Sequence, residues 1–260
     1  MPHSEVPDQS KAKKPWKREI EFVTEAEPLL PPPLFLSTCE SFGLEFESQE
    51  LERLGLYLAL LLANNERINL TAIRDPIEAW HRHLFDSVTL LSVLGELESG
   101  EVADIGSGGG LPAIPLAICL PNIDFTMIES TGKKADYLQA MIDAIGLANA
   151  RVIAERAETL GQDDEHRERY AVVTARAVGA MRVISELCVP LARLGGRVML
   201  IKGERAKEEL AEAKGALHKL CVTHETTVST PTGQIVVLDK RRSTPTKYPR
   251  RPGEPKRDPL

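Results

Sequence analysis

The chain has 260 residues, of which 42% are hydrophobic and 27% charged, and its formal net charge is −6. This length allows one large domain with a smaller extension. No apolar run approaches the roughly 20 residues that a membrane-spanning helix needs, which argues against a membrane protein.

The cysteines and the N-terminal residues indicate the compartment. Cys39, Cys119, Cys188 and Cys221 are scattered and form no C-x-x-C pair, which predicts neither a disulfide framework nor a zinc site. The first fifteen residues are polar and charged and lack the apolar core of a signal peptide. A cytoplasmic protein without a bound metal is therefore expected.

The first 98 residues divide into two predicted parts. Residues 1–27 are expected to be disordered or loosely attached, and residues 28–98 to form a helical extension. After a short helix near 34–42, helical spacing relates Leu51, Leu54, Leu58, Leu61 and Leu62. Asp75 and Pro76 then supply an N-cap and a first helical position, and this last helix is predicted to continue to about residue 94.

From residue 99 to 240 the pattern changes to short apolar strands alternating with helices, which is typical of a parallel sheet with crossover helices. Strands are predicted near 102–105, 124–129, 150–154, 170–175 and 196–201, followed by a pair near 221–229 and 234–240. Helices are predicted near 112–119, 131–145, 180–192 and 204–217, and the acidic stretch 162–169 is expected to be a surface loop. The predicted fold class is α/β, with a Rossmann-like core.

The charge is concentrated at the C-terminal end. Residues 240–260 contain eight basic and two acidic side chains, so they carry +6 and the remainder of the chain −12. A basic tail on an acidic body is typical of local contact with nucleic-acid phosphates, although a merely solvated tail would look the same. The candidate contacts, most of them in a predicted tail at 241–260, are Lys240, Arg241, Arg242, Lys247, Arg250, Arg251, Lys256 and Arg257.

A glycine-rich turn between the first predicted strand and the next helix is the strongest sign of a ligand site. Asp104, Gly106, Gly108 and Gly110 form a D-x-G-x-G-x-G pattern, which lets backbone N–H groups approach a ligand. The pattern resembles the first motif of class I S-adenosylmethionine-dependent methyltransferases. In that family the acidic residue helps to hold the loop and the cationic amino-acid end of the cofactor.

Two alternatives remain open for this turn: a nicotinamide dinucleotide site, since residues 108–113 also fit G-x-G-x-x-A, and a turn without a ligand. Pro112 and Pro115 lie where a pyrophosphate would need backbone N–H groups, which favours the methyltransferase interpretation. Glu129, at the end of the second strand, can accept the ribose hydroxyls of either adenosine cofactor. Ala157 and Glu158 follow the third strand and could reach the adenine edge, or Glu158 could be a solvated helix acid.

Several further motifs together resemble one family. They are Asn69-Leu70-Thr71-Ala72-Ile73-Arg74-Asp75-Pro76, Arg82-His83 with Asp86-Ser87, Thr174-Ala175-Arg176-Ala177-Val178, Lys202-Gly203 and the tail from Thr244 to Gly253. With the glycine turn they resemble the RsmG family, also called glucose-inhibited division protein B, over about residues 35–260. The resemblance implies a class I methyltransferase that acts on N7 of a guanine, usually numbered 527, in bacterial 16S rRNA. It implies cofactor contacts at Gly106, Leu111, Glu129, Ser130, Thr131, Ala157, Glu158 and Arg176.

The implied chemistry needs positioning rather than a base, because N7 of guanine has a lone pair and no proton. The catalytic candidates are Arg176, Lys202 and His83. Arg176 could bind the cofactor carboxylate or an RNA phosphate, or form a structural ion pair. His83 and Asp86, three residues apart on one helical face, could brace each other and the cofactor loop or touch RNA.

The expected partners are S-adenosyl-L-methionine and 16S rRNA or the small ribosomal subunit, with one chain sufficient for one site. The target base would have to turn out of its folded RNA loop. Two other functions remain as alternatives: an NAD(P)-dependent oxidoreductase, and a non-enzymatic RNA-binding or ribosome-assembly factor that retains the fold.

Overall fold

The computed structural model describes residues 20–94, 97–176 and 178–260. Ahead of the sheet lie α1 Pro33–Ser41, α2 Ser48–Asn65, α3 Pro76–Ala79, a π-helical turn at Trp80–Phe85, α4 Asp86–Val88 and α5 Leu91–Leu94. The later helices are α6 Ala113–Cys119, α7 Gly132–Ile145, α8 Ala157–Leu160, α9 Met181–Cys188, α10 Ala206–Glu212, α11 Lys214–Leu220 and α12 Glu254–Arg257. None of the helices within these described ranges has both the length and the apolar composition needed to cross a membrane.

The sheet has seven strands in the order β3-β2-β1-β4-β5-β7-β6. They are β1 Gly100–Ile105, β2 Ile123–Ile128, β3 Ala150–Ile153, β4 Tyr170–Arg176, β5 Ala192–Lys202, β6 Thr223–Thr230 and β7 Gly233–Asp239. β7 pairs antiparallel with β5 and β6, and the other pairings are parallel. The chain changes direction across the sheet between β1 and β4, and ligands bind open α/β sheets beside such a switch point. The predicted α/β fold is confirmed.

The helical extension shares a core with the sheet. Leu54, Leu58 and Leu61 of α2 are fully buried in the same hydrophobic cluster as Phe125 of β2 and Tyr137 of α7. The change of pattern near residue 98 therefore marks a change of secondary structure and not a gap in packing, because one apolar face of α2 is covered by the sheet domain.

The segment before α1 is also packed. The Val23 amide donates to Asn64 Oδ1 at 2.9 Å, and Asn64 Nδ2 returns a bond to the Val23 carbonyl at 2.8 Å. A Cβ on Gly55 would lie 2.2 Å from the Leu29 carbonyl oxygen, so a glycine in α2 lets the chain cross it closely. The expected loose attachment is therefore wrong for residues 20–27, and residues 1–19 lie outside the described ranges.

The C-terminal segment, residues 241–260, lies against the sheet domain. The Arg167 guanidinium donates to the carbonyls of Thr244 and Tyr248, each at 2.7 Å, and the Glu168 carboxylate accepts from the Thr244 amide at 3.0 Å. Both side chains come from the stretch that was expected to be only a surface loop. Because a buried or half-buried carbonyl needs a donor, these bonds hold the segment in one place.

Candidate active site

A glycine loop joins β1 to α6 at the carboxyl edge of the sheet. Gly106, Gly108 and Gly110 have φ angles of 70°, 54° and 96°, which side chains disfavour. A Cβ on Gly110 would lie 2.4 Å from the Ile114 Cδ1, so α6 can pack this closely only behind a glycine. The Tyr57 hydroxyl of α2 donates to the Gly109 carbonyl at 2.7 Å. The sequence analysis missed this support because nothing in the spacing of α2 singles out Tyr57.

Glu129, just beyond β2, holds the glycine loop from the other side. Its Oε2 accepts from the Gly108 amide at 3.0 Å and its Oε1 from the Thr131 amide at 2.8 Å. The side chain is buried. A carboxylate has about four acceptor positions, so two remain for a ligand's hydroxyl groups. The structure therefore brings Glu129 and the glycine loop together, in a geometry that suits a ribose.

Asp104, at the end of β1, is buried with one oxygen unpartnered. Its Oδ1 accepts from the Thr174 hydroxyl at 2.8 Å, whereas Oδ2 has no hydrogen-bond partner among the described residues. Burial raises the pKa of Asp104 to about 7, and the hydroxyls of Ser107 and then Thr174 act in the opposite direction. A buried carboxylate oxygen without a hydrogen bond is costly, and a cationic ligand group that donates to Oδ2 would relieve that cost.

Arg176, at the end of β4, is bound to the helical extension by the π-helical turn. Its guanidinium donates to His83 Nδ1 at 2.6 Å and to the His83 carbonyl at 3.2 Å, and it lies 3.8 Å from an Asp86 oxygen. His83 Nε2 lies 2.6 Å from the Thr71 hydroxyl. π-Helical turns are rare, and they are frequently found at functional sites. The structure thus joins three predicted residues and adds Thr71.

This arrangement defines the protonation of His83. Burial, and then the neighbouring Arg176 charge, lower the pKa of His83 to about 4. The imidazole is therefore neutral at pH 7. Because Nδ1 accepts from Arg176, the proton lies on Nε2 and is donated to the Thr71 hydroxyl. Both ring nitrogens are therefore engaged in hydrogen bonds within the protein.

Lys202, the third catalytic candidate, is engaged within the protein. Its Nζ donates to the Gly179 carbonyl at 2.7 Å and to Glu209 Oε2 at 2.7 Å. The same Glu209 oxygen accepts from the Met181 amide at 2.9 Å. Lys202 therefore ties the end of β5 to the connection between β4 and α9.

A cavity of about 240 Å³ lies beside the carboxyl end of β1, where Ile105 and Gly106 line it. The predicted cofactor residues in its wall are Gly106, Ser130, Ala157 and Glu158. The sequence analysis did not assign Val178 and Gly253, which also line it, to the cofactor. Ile128 and Ser130, the neighbours of Glu129, line this cavity, and its size and partly apolar walls suit an adenosine. The unpartnered oxygen of Asp104 and the Arg176 guanidinium have the chemistry to bind the amino and carboxylate groups of a methionine moiety. The residues present therefore fit S-adenosyl-L-methionine.

Two of the predicted RNA contacts are directed inward. Lys240 is fully buried, where its Nζ donates to the carbonyls of Val189 and Ala192 and lies 3.0 Å from Glu168 Oε1. Burial lowers the pKa of Lys240 to about 8. The assignment of Lys240 to RNA is wrong, because its ammonium cannot reach the surface. Arg250 is held by the buried Glu186, and the exposed members of the set are Arg241, Arg242, Lys247, Arg251, Lys256 and Arg257.

Known proteins resemble this chain over most of its length. The family model described as rRNA small subunit methyltransferase G matches residues 50–237. A relative named Ribosomal RNA small subunit methyltransferase G, from Sorangium cellulosum, is 48% identical over 86% of this chain and 94% of its own length. A relative of the same name from Lactobacillus delbrueckii is 38% identical over 88% of this chain and 99% of its own length.

Solved structures agree on the fold alone. A chain from Methanococcus maripaludis, named as a candidate S-adenosyl-L-methionine-dependent methyltransferase, superposes with a TM-score of 0.52 at 11% identity and covers 63% of this chain and 87% of its own length. At such low identity the likeness extends to the arrangement of strands and helices and not to particular site residues.

Proposed function

Because the chain belongs to the rRNA small subunit methyltransferase G family, we propose that it methylates N7 of one guanine in bacterial 16S rRNA, the position usually numbered 527. Family and fold make it an S-adenosyl-L-methionine-dependent methyltransferase, as the sequence analysis predicted. The nicotinamide oxidoreductase and the non-enzymatic factor are set aside for the same reason.

The hydrogen bonds of His83 support N7 as the acceptor atom, because they leave His83 unavailable as a general base. Both of its nitrogens are occupied, by Thr71 and Arg176, and its pKa of about 4 leaves it a poor proton acceptor. S-adenosyl-L-methionine supplies a methyl group on a positively charged sulfur, which the N7 lone pair can take without losing a proton. A site built to orient its reactants and to exclude water suits this acceptor.

Different residues of the site bind different parts of the cofactor and of the RNA. Glu129 and the glycine loop orient the ribose, Asp104 neutralises the amino group, and Arg176 meets a carboxylate or a phosphate with a forked pair of donors. The exposed basic residues of the C-terminal segment attract the RNA backbone without reading its sequence. The target guanine turns out of its loop to enter the site. One chain supplies all these groups, so we propose a monomer that acts in the cytoplasm on the small subunit.

Methyl transfer is tested with methyl-labelled S-adenosyl-L-methionine and small subunits from cells that lack the modification. We expect label at a single guanine, recovered as 7-methylguanine. Naked 16S rRNA is the parallel substrate, and heat-denatured enzyme is the control. Label on another base or another ring atom would overturn the proposed target, even if S-adenosylhomocysteine binds.

The affinity for S-adenosylhomocysteine is expected to rise about tenfold between pH 6 and pH 8. Burial holds the pKa of Asp104 at about 7, so its carboxyl is mostly protonated at pH 6 and mostly ionised at pH 8. The cationic amino group binds the ionised form and must displace the proton at low pH. The pKa of His83, about 4, lies outside this range. The change of affinity with pH is therefore expected to come from Asp104.

Calorimetric titrations at pH 6, 7 and 8 measure this slope. An Asp104→Asn variant should bind more weakly and with no such pH dependence. A wild-type affinity that does not change with pH would show that Asp104 does not meet the amino group.

A further inference from the structure

The second half of the C-terminal segment is latched to the sheet domain by a buried ion pair. Glu186 of α9 is fully buried. Its Oε1 accepts from the Arg250 amide and from Arg250 Nε, each at 2.9 Å, and its Oε2 accepts from Arg250 Nη2 at 2.7 Å. A buried carboxylate without its cation is strongly destabilising, so this latch fixes the chain that follows residue 250.

Just beyond the latch, the chain turns into the cavity beside β1. Gly253 has a φ of 84°, and its amide donates to Glu158 Oε1 at 2.8 Å. Pro255 is buried and, with Gly253 and Lys256, lines the same cavity as Ala157. These three residues therefore form part of the wall of this cavity.

We infer that residues 253–256 form one wall of the cofactor site, at its adenine end. The inference rests on the proposed use of this cavity by S-adenosyl-L-methionine. The Gly253 amide holds one oxygen of Glu158 and so orients the carboxylate, whose remaining acceptor positions can meet the adenine amino group. Pro255 covers the ring and removes apolar surface from water.

The C-terminal segment then has two roles on two faces. Its inner face, Gly253 and Pro255, contributes to the cofactor site. Its outer face presents Lys247 and Arg251, which are exposed, to RNA phosphates. Because both ligands act on one docked segment, binding of either is expected to favour binding of the other by the same factor.

The test measures S-adenosylhomocysteine binding by calorimetry in the absence of RNA. A variant that lacks residues 253–260 is expected to bind at least tenfold more weakly than the full chain. The matched control is Lys247→Ala with Arg251→Ala, which removes two charges from the same segment outside the cavity. The control should keep the affinity for S-adenosylhomocysteine and lose affinity for RNA.

A point variant tests the same inference without shortening the chain, in case the shortened chain does not fold. Gly253→Ala has open space for its Cβ but not a comfortable backbone at φ 84°, so the docked turn is strained. We expect it to weaken S-adenosylhomocysteine binding severalfold, with circular dichroism and the unfolding temperature near wild type. Unchanged affinity in the folded variants would overturn the inference and leave the proposed function intact. Failure of the full chain to bind S-adenosylhomocysteine would overturn both.

Discussion

Glu129→Ala is expected to weaken S-adenosylhomocysteine binding by about a hundredfold or more, because two hydrogen bonds to a charged acceptor contribute roughly 3 kcal/mol together. The carboxylate binds the amides of Gly108 and Thr131, so its removal frees the glycine loop. The same change removes the acceptor for the ribose hydroxyls. Calorimetry measures the loss of S-adenosylhomocysteine affinity. Binding of RNA should persist, and it shows that the variant is folded.

Two further variants separate the causes. Glu129→Gln keeps one acceptor oxygen but turns an amide N–H toward a backbone N–H, so an intermediate loss is expected. Asp124→Ala makes the same change of charge from an exposed position near the amino end of β2 and should leave the affinity unchanged. If Glu129→Ala binds as tightly as wild type, Glu129 has no part in the cofactor site.

Arg176→Ala is expected to lower kcat/KM by about a thousandfold, the loss of roughly 4 kcal/mol of transition-state stabilisation. It also removes a buried cation beside Asp86, whose burial already raises its pKa, so unfolding should become easier by about 3 kcal/mol. The activity is measured with labelled methyl donor and the stability by denaturant unfolding.

A double variant distinguishes catalysis from structure. Arg176→Ala combined with Asp86→Asn removes the unpaired carboxylate and should recover much of the stability but none of the activity. Arg193→Ala, an exposed arginine on β5, is the matched control and should change neither quantity. If activity recovers together with stability, Arg176 only forms a structural ion pair. The sequence analysis left this alternative open.

The local patterns were sufficient for most of the fold. The predicted strands overlap all seven observed strands, because alternating and buried apolar runs reflect contacts that a strand makes wherever it lies in the sheet. The two helices that were not predicted, α8 and α12, have four residues each. Such short helices contain less than two turns of periodicity and are stabilised by their surroundings.

The site was predicted in part for a similar reason. The glycine loop and Glu129 could be placed because the carboxyl ends of parallel strands meet at one edge of the sheet. The partners of Arg176 could not, because His83 lies 93 residues earlier and reaches β4 only through the packing of the π-helical turn. The assignment of Arg176, His83 and Lys202 to catalysis remains a prediction.

Charge shows most clearly what depends on tertiary structure. The sequence alone determined that eight basic residues lie between 240 and 260. Its motifs were also sufficient to indicate the family. Only the folded chain decided that Lys240 is buried against Glu168, that Arg250 is latched to Glu186, and that Lys247 and Arg251 remain exposed. The physical reason is that a side chain's charge is a local property, whereas its exposure depends on residues that are distant in sequence and become neighbours only on folding.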